Sequence, residues 1–330
     1  MTSKMTKPAV VFIGAMTCCA LWGGAFPGIK IGYELFSITA SDRGGQMMFA
    51  GYRFILAGIL AWIIGSVIYK KPLFPKRSSI GKICILGLLQ TFLQYFFFYL
   101  GLANTTGVKA SIIEGLNVFF AMLVAAGIFG MEKLSRKKIL GCLIGFAGVV
   151  LVNFSGSGMQ LSFTLLGEGA ILISTIAYAF SSVCIKKFSQ EEEPFVLSSY
   201  QFVAGGLLLL VIGKFMRDAE VVFQDNQNSV ADHVVRKSIA SILINHPSYL
   251  GILLLLAGIS AIAYSMWGVL LKYNEVSKVA VYGFMTPVFG VMLSAIFLHE
   301  TSNRNIYQVI VALLLVSIGT WMVQTKEKVQ

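Results

Sequence analysis

The chain has 330 residues, of which 56% are hydrophobic and only 12% are charged, and its mean hydropathy is +0.78. A soluble domain carries about 25% charged residues, so this composition excludes a soluble globular protein and indicates a polytopic membrane protein. The net charge of +11 does not predict a nucleic-acid partner, because the basic residues lie in short connections between apolar runs, where membrane topology explains them.

Apolar runs long enough to cross a bilayer recur along the whole chain. A bilayer core needs about 20 apolar residues per helix. The first run follows Lys4 and Lys7 like a signal peptide, but it is longer than a signal core and many runs follow, so we expect a retained helix. The sequence therefore predicts an all-α polytopic membrane protein with ten transmembrane helices: 9–30, 47–69, 83–103, 110–130, 138–154, 168–185, 195–213, 248–271, 279–298 and 306–324.

One connection, residues 214–247, is much longer than the others and is polar and mixed in charge. Its apolar residues recur at helical spacing, which predicts a short helix on the membrane surface. A solvated loop with a chance stripe is the alternative. The stripe consists of Val234, Val235, Ile239, Ile242 and Leu243.

The basic residues predict the orientation of the chain. If the N-terminus is cytoplasmic, the inner connections and both termini carry seventeen Lys and Arg residues, whereas the short outer connections carry four. The long connection 214–247 is left out, because long loops translocate largely regardless of charge. The count predicts that both termini are cytoplasmic, in a bacterial-type plasma membrane.

The two halves of the chain share weak sequence similarity. Because each predicted half has five spans, an odd number, the second half enters the membrane upside down, as in secondary transporters with inverted repeats. We expect one five-helix repeat in 1–154, a linker in 155–167, and a second repeat in 168–330 that contains the long outer loop. Three pairs of segments align in the same order: 21–30 with 177–186, 52–58 with 200–206, and Glu132 with Glu300.

Two charged residues, Glu114 and Arg53, lie inside predicted spans. Such groups usually face the bundle interior and lie on a substrate or ion path. Asn117 shares the helical face of Glu114. If Glu114 is paired with Arg53 it stays charged, and if it is dry and unpaired it can carry a coupling proton. Snorkelling of Glu114 to the interface and a structural role for Arg53 are the alternatives.

Polar and aromatic residues on other spans are candidates for the cavity wall. Gln90 and Gln94 form a polar stripe that faces protein or water. An aromatic and hydroxyl lining is suited to a small amphipathic molecule, although aromatic packing is the commoner explanation. The candidate substrate contacts are Trp22, Arg53, Gln94, Tyr95, Glu114, Asn117, Tyr178, Tyr264 and Trp267.

Two prolines, Pro27 and Pro287, lie within predicted spans, where they free a backbone carbonyl and are candidate hinges. The sequence contains no nucleotide-binding, nucleophile-elbow or zinc motif. We therefore expect no catalytic residue, metal or cofactor. The predicted partners are a small-molecule substrate, membrane lipid and a coupling proton.

The sequence resembles the EamA-type branch of the drug/metabolite transporter superfamily over nearly its whole length. The resemblance rests on Leu21-Trp22-Gly23, Tyr52-Arg53-Phe54, the exit Gly130-Met131-Glu132 and the pair Pro287 and Glu300. It implies ten helices, cytoplasmic termini, a central cavity, and transport of small metabolites, often amino acids and frequently as export. Phe119 stands where the first repeat often has a proline, so we expect a straighter fourth span.

These observations predict a secondary transporter, acting as an exporter, of a small polar or amphipathic metabolite such as an amino acid. The expected mechanism is alternating access through a central cavity. A lipid or lipid-carrier flippase of the same superfamily is the first alternative, with Arg53 meeting a phosphate. A polytopic membrane enzyme is the second, and the absence of a clustered catalytic motif counts against it.

Overall fold

The computed structural model describes residues 2–39, 41–102, 104–105, 107–153, 163–225, 239–297 and 306–325. Every regular element in these ranges is helical, and a single turn, Thr2–Met5, precedes the longer helices. In chain order these are α1 Pro8–Leu35, α2 Arg43–Tyr69, α3 Arg77–Leu102, α4 residues 107–128, α5 Arg136–Asn153, α6 Leu165–Phe188, α7 Pro194–Asp225, α8 Ile239–Asn245, α9 Pro247–Tyr273, α10 residues 276–297 and α11 Ile306–Gln324.

Six of these helices, α1, α2, α3, α6, α7 over Pro194–Asp218, and α9, are long and apolar enough to cross a bilayer. The described part of the chain thus forms helices and no strand, the architecture of an α-helical polytopic membrane protein. The other four predicted spans coincide with α4, α5, α10 and α11, which are shorter or interrupted. The count of ten spans therefore stays a prediction. Residues 155–162 of the predicted linker and Glu300 lie outside the described residues.

Helix α7 continues beyond the predicted end of the seventh span at residue 213 and reaches Asp225. The prediction was wrong here because it followed hydropathy, and polar residues end an apolar run without ending a helix. Arg217, in this polar extension, forms an ion pair with Asp42 at 2.7 Å. Asp42 also accepts a hydrogen bond from the N–H of Gly45 at the start of α2, so this contact fixes both helices.

The predicted surface helix is described only in part, since Val234 and Val235 lie outside the described residues. Helix α8 contains the rest of the stripe, and its Ile239 and Ile242 are buried against other helices. Its apolar face therefore contacts protein and not the membrane surface. Sequence periodicity cannot distinguish these two apolar environments.

The fourth predicted span is not one continuous α-helix. Its helix α4 consists of Gly107–Gly115 and Asn117–Leu123, joined at Leu116, and ends in a π-helical turn, Val124–Ile128. The straighter fourth span expected from the missing proline stays a prediction. Glycine is a poor helix former, and Gly115 directly precedes the break. The interruption lies between the two polar residues of the span, Glu114 and Asn117.

Helices α2 and α7 pack so closely that glycine is required at their crossing. A Cβ atom on Gly58 would lie 2.5 Å from the carbonyl oxygen of Ser199, and one on Gly51 would lie 2.9 Å from that of Gly206. Small residues allow such backbone approach between helices in membranes. At this crossing, segments 52–58 and 200–206, which align with each other in the sequence, are in direct contact.

The packing pairs of the bundle are related by an exchange of its two halves. Helix α1 packs on α9 and α10, and correspondingly α6 packs on α3 and α4. Likewise α2 packs on α9, and α7 packs on α3. The pairs α2 with α7 and α5 with α11 each join one helix from either half. Such an exchange is the contact pattern that an inverted repeat would produce.

The helix ends form two faces. At the face where α1 begins, called here the N-terminal face, Lys138 bridges Glu132 and Glu275, and Asn274 donates to the carbonyl of Met5 at 3.1 Å. The opposite face holds the Asp42–Arg217 ion pair and that between Lys109 and Glu168 at 3.0 Å. The main buried apolar cluster lies between the cavity described below and the N-terminal face.

Candidate functional site

A cavity of about 170 Å³ lies in the middle of the bundle and is bordered by seven of the helices, α1, α2, α3, α4, α6, α9 and α10. All nine predicted substrate contacts border it, together with Pro287, whereas Pro27 is buried within α1 away from the cavity. Residues from both halves of the chain therefore line the same cavity. The predicted contacts in the lining are Trp22, Arg53, Gln94, Tyr95, Glu114, Asn117, Tyr178, Tyr264 and Trp267.

Arg53 is held in the cavity wall by aromatic rings. Only 2% of the residue is exposed, and its guanidinium carbon lies 4.4 Å from the ring centre of Phe54 and 5.3 Å from that of Tyr95. Its Nε and Nη2 atoms are buried and find no hydrogen-bond partner among the described residues. The rings stabilise the cation through their faces but leave two N–H donors unused, which is costly in a buried site unless a ligand accepts them.

Acceptor groups border the same cavity. The side-chain oxygens of Asn117 and Gln94 are buried and lack a hydrogen-bond donor among the described residues. Glu114 lies one helical turn from Asn117 and also borders the cavity. The structure shows no ion pair between Glu114 and Arg53, both of which are described. The cavity therefore offers a cation and a carboxylate that are not joined to each other.

An aromatic cluster forms one wall. Trp22 makes edge-to-face contacts with Tyr264 and Trp267, with ring centres 5.1 and 5.0 Å apart, and with Tyr178 at 6.5 Å. The hydroxyl of Tyr264 is 2.9 Å from that of Tyr95. Trp22 and Tyr178 occupy corresponding positions of the two aligned segments, and they meet here. The Trp22 ring N–H is buried without an acceptor among the described residues.

The polar stripe of the third span divides between two environments. Gln90 is buried and accepts a hydrogen bond from Gln201 of α7 at 2.6 Å, whereas Gln94 borders the cavity. Gln90 lies in a π-helical stretch, Gly87–Leu93, and π-turns inside helices are frequent near functional sites. The stripe thus faces protein at one end and the cavity at the other.

The sequence reading missed several polar residues of the lining. Ser174 and Thr175 of α6 border the cavity, and the Ser174 hydroxyl donates to the Gln94 carbonyl at 2.7 Å. Ser181 and Ser182 of the same helix do not border the cavity, and their hydroxyls donate to the carbonyl of Tyr178. Spacing was a usable signal, because Ser174 lies four residues before Tyr178 and so shares its face. The other missed polar residues are Tyr99, Ser260 and Thr286.

On the side of the N-terminal face the cavity is closed by a plug of buried apolar residues. On five of the lining helices, a plug residue lies about one helical turn closer to the N-terminal face than a residue of the cavity lining does. On α1, for example, Cys18 lies one turn before Trp22. Among the described residues, no group of three or more His, Cys, Asp or Glu side chains is placed to hold a metal ion. The plug consists of Cys18, Cys19, Met122, Val183, Leu271 and Val279.

The chain has long apolar helices around a central cavity whose lining includes polar and charged side chains. This arrangement is that of a polytopic membrane protein with an internal binding site. Comparison with known proteins gives the family. A model of the EamA-like transporter family matches residues 9–154 and 165–325. The chain therefore belongs to the EamA-like transporter family.

Its relatives are named as transporters. A Bacillus subtilis (strain 168) protein named "Uncharacterized transporter YvbV" is 25% identical over 321 residues, which cover 94% of this chain and 90% of that protein. A "Probable amino-acid metabolite efflux pump" of Salmonella typhimurium is 26% identical over 290 residues, which cover 87% and 86%. A solved crystal structure shares the fold, with a TM-score of 0.70, 16% identity, and coverage of 95% of this chain and 97% of that one.

Proposed function

We propose that the protein is a secondary transporter that exports a small zwitterionic metabolite, such as an amino acid, by alternating access through the central cavity. The observation that carries the proposal is the pair of unjoined charges, Arg53 and Glu114, in one cavity. A buried charge is costly without a partner. A zwitterion supplies a carboxylate to the Arg53 N–H donors and an ammonium group to Glu114, and so satisfies both.

The remaining lining fits the same substrate. The free oxygens of Gln94 and Asn117 are acceptors for an ammonium group, and the aromatic wall around Trp22 accommodates an apolar side chain. The Salmonella relative named as an amino-acid metabolite efflux pump supports both the substrate class and the direction. The transport class itself follows from the family.

Two observations support alternating access by two inverted repeats. The family model matches the chain twice, once in each half, and the helix packing pairs are related by exchanging the halves. In such transporters one repeat rocks against the other around a site near the midplane. The cavity borders helices of both halves. We place the N-terminal face in the cytoplasm, since it carries most of the basic residues.

Glu114 is the candidate for coupling to a proton gradient. It is the carboxylate of the cavity lining and has no ion-pair partner among the described residues. A carboxyl group that alternates between a proton and the substrate ammonium couples their movements. Glutamine keeps the shape of the side chain but cannot ionise.

The experiment that tests the proposal is transport by purified Glu114→Gln in proteoliposomes at two pH values. We expect proton-driven transport of amino acids to fall by about tenfold, as expected from losing a charge-assisted hydrogen bond, and its pH dependence to flatten. Glu191→Gln, the same change at an exposed site on the N-terminal face, is the matched control and should behave as wild type. Unchanged transport and pH dependence in folded Glu114→Gln would sink the role of this residue.

A further inference from the structure

The plug of buried apolar residues lies between the cavity and the N-terminal face. Cys18 and Cys19 have no exposed surface, and their Sγ atoms donate to the carbonyls of Ala263 at 3.4 Å and Tyr282 at 3.2 Å. These bonds join α1 to α9 and to α10. An exported substrate that enters through the N-terminal face has to pass between these helices, so the plug must open.

A cluster of ionic groups covers the plug at that face. Glu132, whose side chain is 3% exposed, accepts hydrogen bonds from the backbone N–H and the hydroxyl of Ser277. Lys138 lies 3.0 Å from Glu132 and 2.7 Å from Glu275, and Glu275 also pairs with Lys278 at 2.9 Å. We call these five residues the latch.

The latch joins α4 and α10, two of the helices that carry polar groups into the cavity. Glu132 follows α4, which holds Glu114 and Asn117, and Ser277 lies in the first turn of α10, which holds Thr286 and Pro287 further along. The bonds between Glu132 and Ser277 span 145 positions of the sequence. Separation of α4 from α10 at the N-terminal face therefore requires that these bonds break.

We propose that the latch holds the cavity closed to the N-terminal face, and that its opening is a step of the transport cycle. This inference rests on the proposed alternating access. Glu132 is the central residue, because its carboxylate binds the other half of the chain through Ser277 and is neutralised by Lys138. Without its bonds, the plug alone resists opening at this face.

The cysteines of the plug provide the reporter for this proposal. In a variant that keeps Cys18 and has alanine at Cys19, Cys84, Cys142 and Cys184, labelling by a membrane-impermeant maleimide reports the opening of the plug. The reagent is applied separately to each side of sealed vesicles, without substrate. Since no substrate is present, a failure of the substrate assignment at Arg53 and Glu114 does not affect the result.

We expect Glu132→Gln to raise the labelling rate of Cys18 from the N-terminal face by about tenfold, the factor expected from losing one charge-assisted hydrogen bond. Ser277→Ala, which keeps every charge, should raise the rate less and from the same face. Glu191→Gln breaks an ion pair on the same face whose carboxylate is 65% exposed, and should leave the rate unchanged.

Three outcomes overturn the latch. If Cys18 is labelled in Glu132→Gln at the same rate as in the protein with Glu132 intact, the plug alone keeps the cavity closed to the N-terminal face. An equal rise in Glu191→Gln shows that any charge change at this face loosens it. A rise from both faces, accompanied by a lower melting temperature, shows general loss of packing and not opening at one face.

Discussion

The cavity and the latch both contain charged side chains, but the charges of the latch are paired with each other and those of the cavity are not. In the latch, each charge of Glu132, Lys138 and Glu275 meets an opposite charge. In the cavity, Arg53 is almost fully buried, yet two of its N–H groups have no acceptor among the described residues, and Glu114 lies in the same lining. Buried polar groups are normally satisfied within a protein. The difference indicates that the latch stabilises a conformation, whereas the cavity is built for a ligand.

The comparison predicts the largest effect at Arg53. Arg53→Met should weaken binding of a carboxylate substrate by about 10- to 100-fold, since hydrogen bonds to charged groups contribute about 1.5–3 kcal/mol. The same variant should keep or raise the melting temperature of the ligand-free protein, because the removed donors have no partner in the described residues and functional sites often lower stability. Equilibrium binding and thermal unfolding of the purified protein measure the two effects.

Arg53→Lys separates charge from geometry. Lysine keeps the positive charge but loses the planar fork that binds a carboxylate with two N–H groups. We expect binding between that of Arg53→Met and that of wild type. If Arg53→Met instead destabilises the ligand-free protein as strongly as a core substitution, Arg53 is a structural residue and the contrast with the latch fails.

The reverse pattern is expected at Lys138. Lys138→Met leaves the Glu132 carboxylate, which is 3% exposed, without its cation. We expect a loss of about 1–3 kcal/mol in the free energy of unfolding, as for other groups left unsatisfied on burial, and substrate affinity within twofold of wild type. Denaturant or thermal unfolding measures the first, and equilibrium binding the second.

Lys82→Met is the matched control for Lys138→Met. Its partner Glu191 is 65% exposed, and exposed ion pairs contribute about 0–1 kcal/mol. The free energy of unfolding should therefore change little. Equal destabilisation by the two substitutions would show that burial of the latch is of no consequence for stability.

The smallest effect is a dependence of stability on pH at Glu275. Burial raises the pKa of this carboxyl, but hydrogen bonds and charges from Lys138 and Lys278 outweigh it and hold the pKa below its ordinary value. A pKa that is lower in the folded protein contributes stability above the unfolded pKa of about 4.3, and this contribution is lost as the pH falls through the folded value.

Glu275→Gln isolates this contribution. At pH 7 the variant should melt below wild type, and the difference should shrink as the pH falls below about 4, where the wild-type carboxyl becomes protonated. Thermal unfolding of both proteins across this range is the measurement. A difference that stays constant with pH would show that the charge of Glu275 does not contribute.

The sequence predicted the membrane class and nine of the residues that line the cavity, because a charged or amide side chain within an apolar run usually faces the bundle interior. It did not predict the latch. Glu132 and Ser277 are far apart in sequence and look like ordinary polar residues of short loops. The hydrogen bonds between these two residues form because the two halves of the chain pack together, and no local sequence pattern indicates that packing.

Helix ends were predicted less well than helix positions, for a related reason. Hydropathy locates where a helix leaves an apolar environment, not where its hydrogen bonds end, so the polar extension of α7 to Asp225 was missed. The π-helical stretch of α3 and the interruption of α4 next to Gly115 contain no proline that could have marked them in the sequence. The ten-span count and the inverted repeat stay predictions, supported by the exchange of packing pairs.

The measurement that tests the central claim most directly is thermal stabilisation of the purified protein by matched pairs of ligands. The pairs are phenylalanine and phenethylamine, leucine and isopentylamine, and lysine and cadaverine, with phosphatidylglycerol as the lipid. A ligand that binds only the folded state raises the melting temperature. We predict that an amino acid stabilises the wild type, that its amine does not, and that Arg53→Met abolishes the difference. Equal stabilisation by both members of every pair, or stabilisation by the lipid alone, would contradict the account.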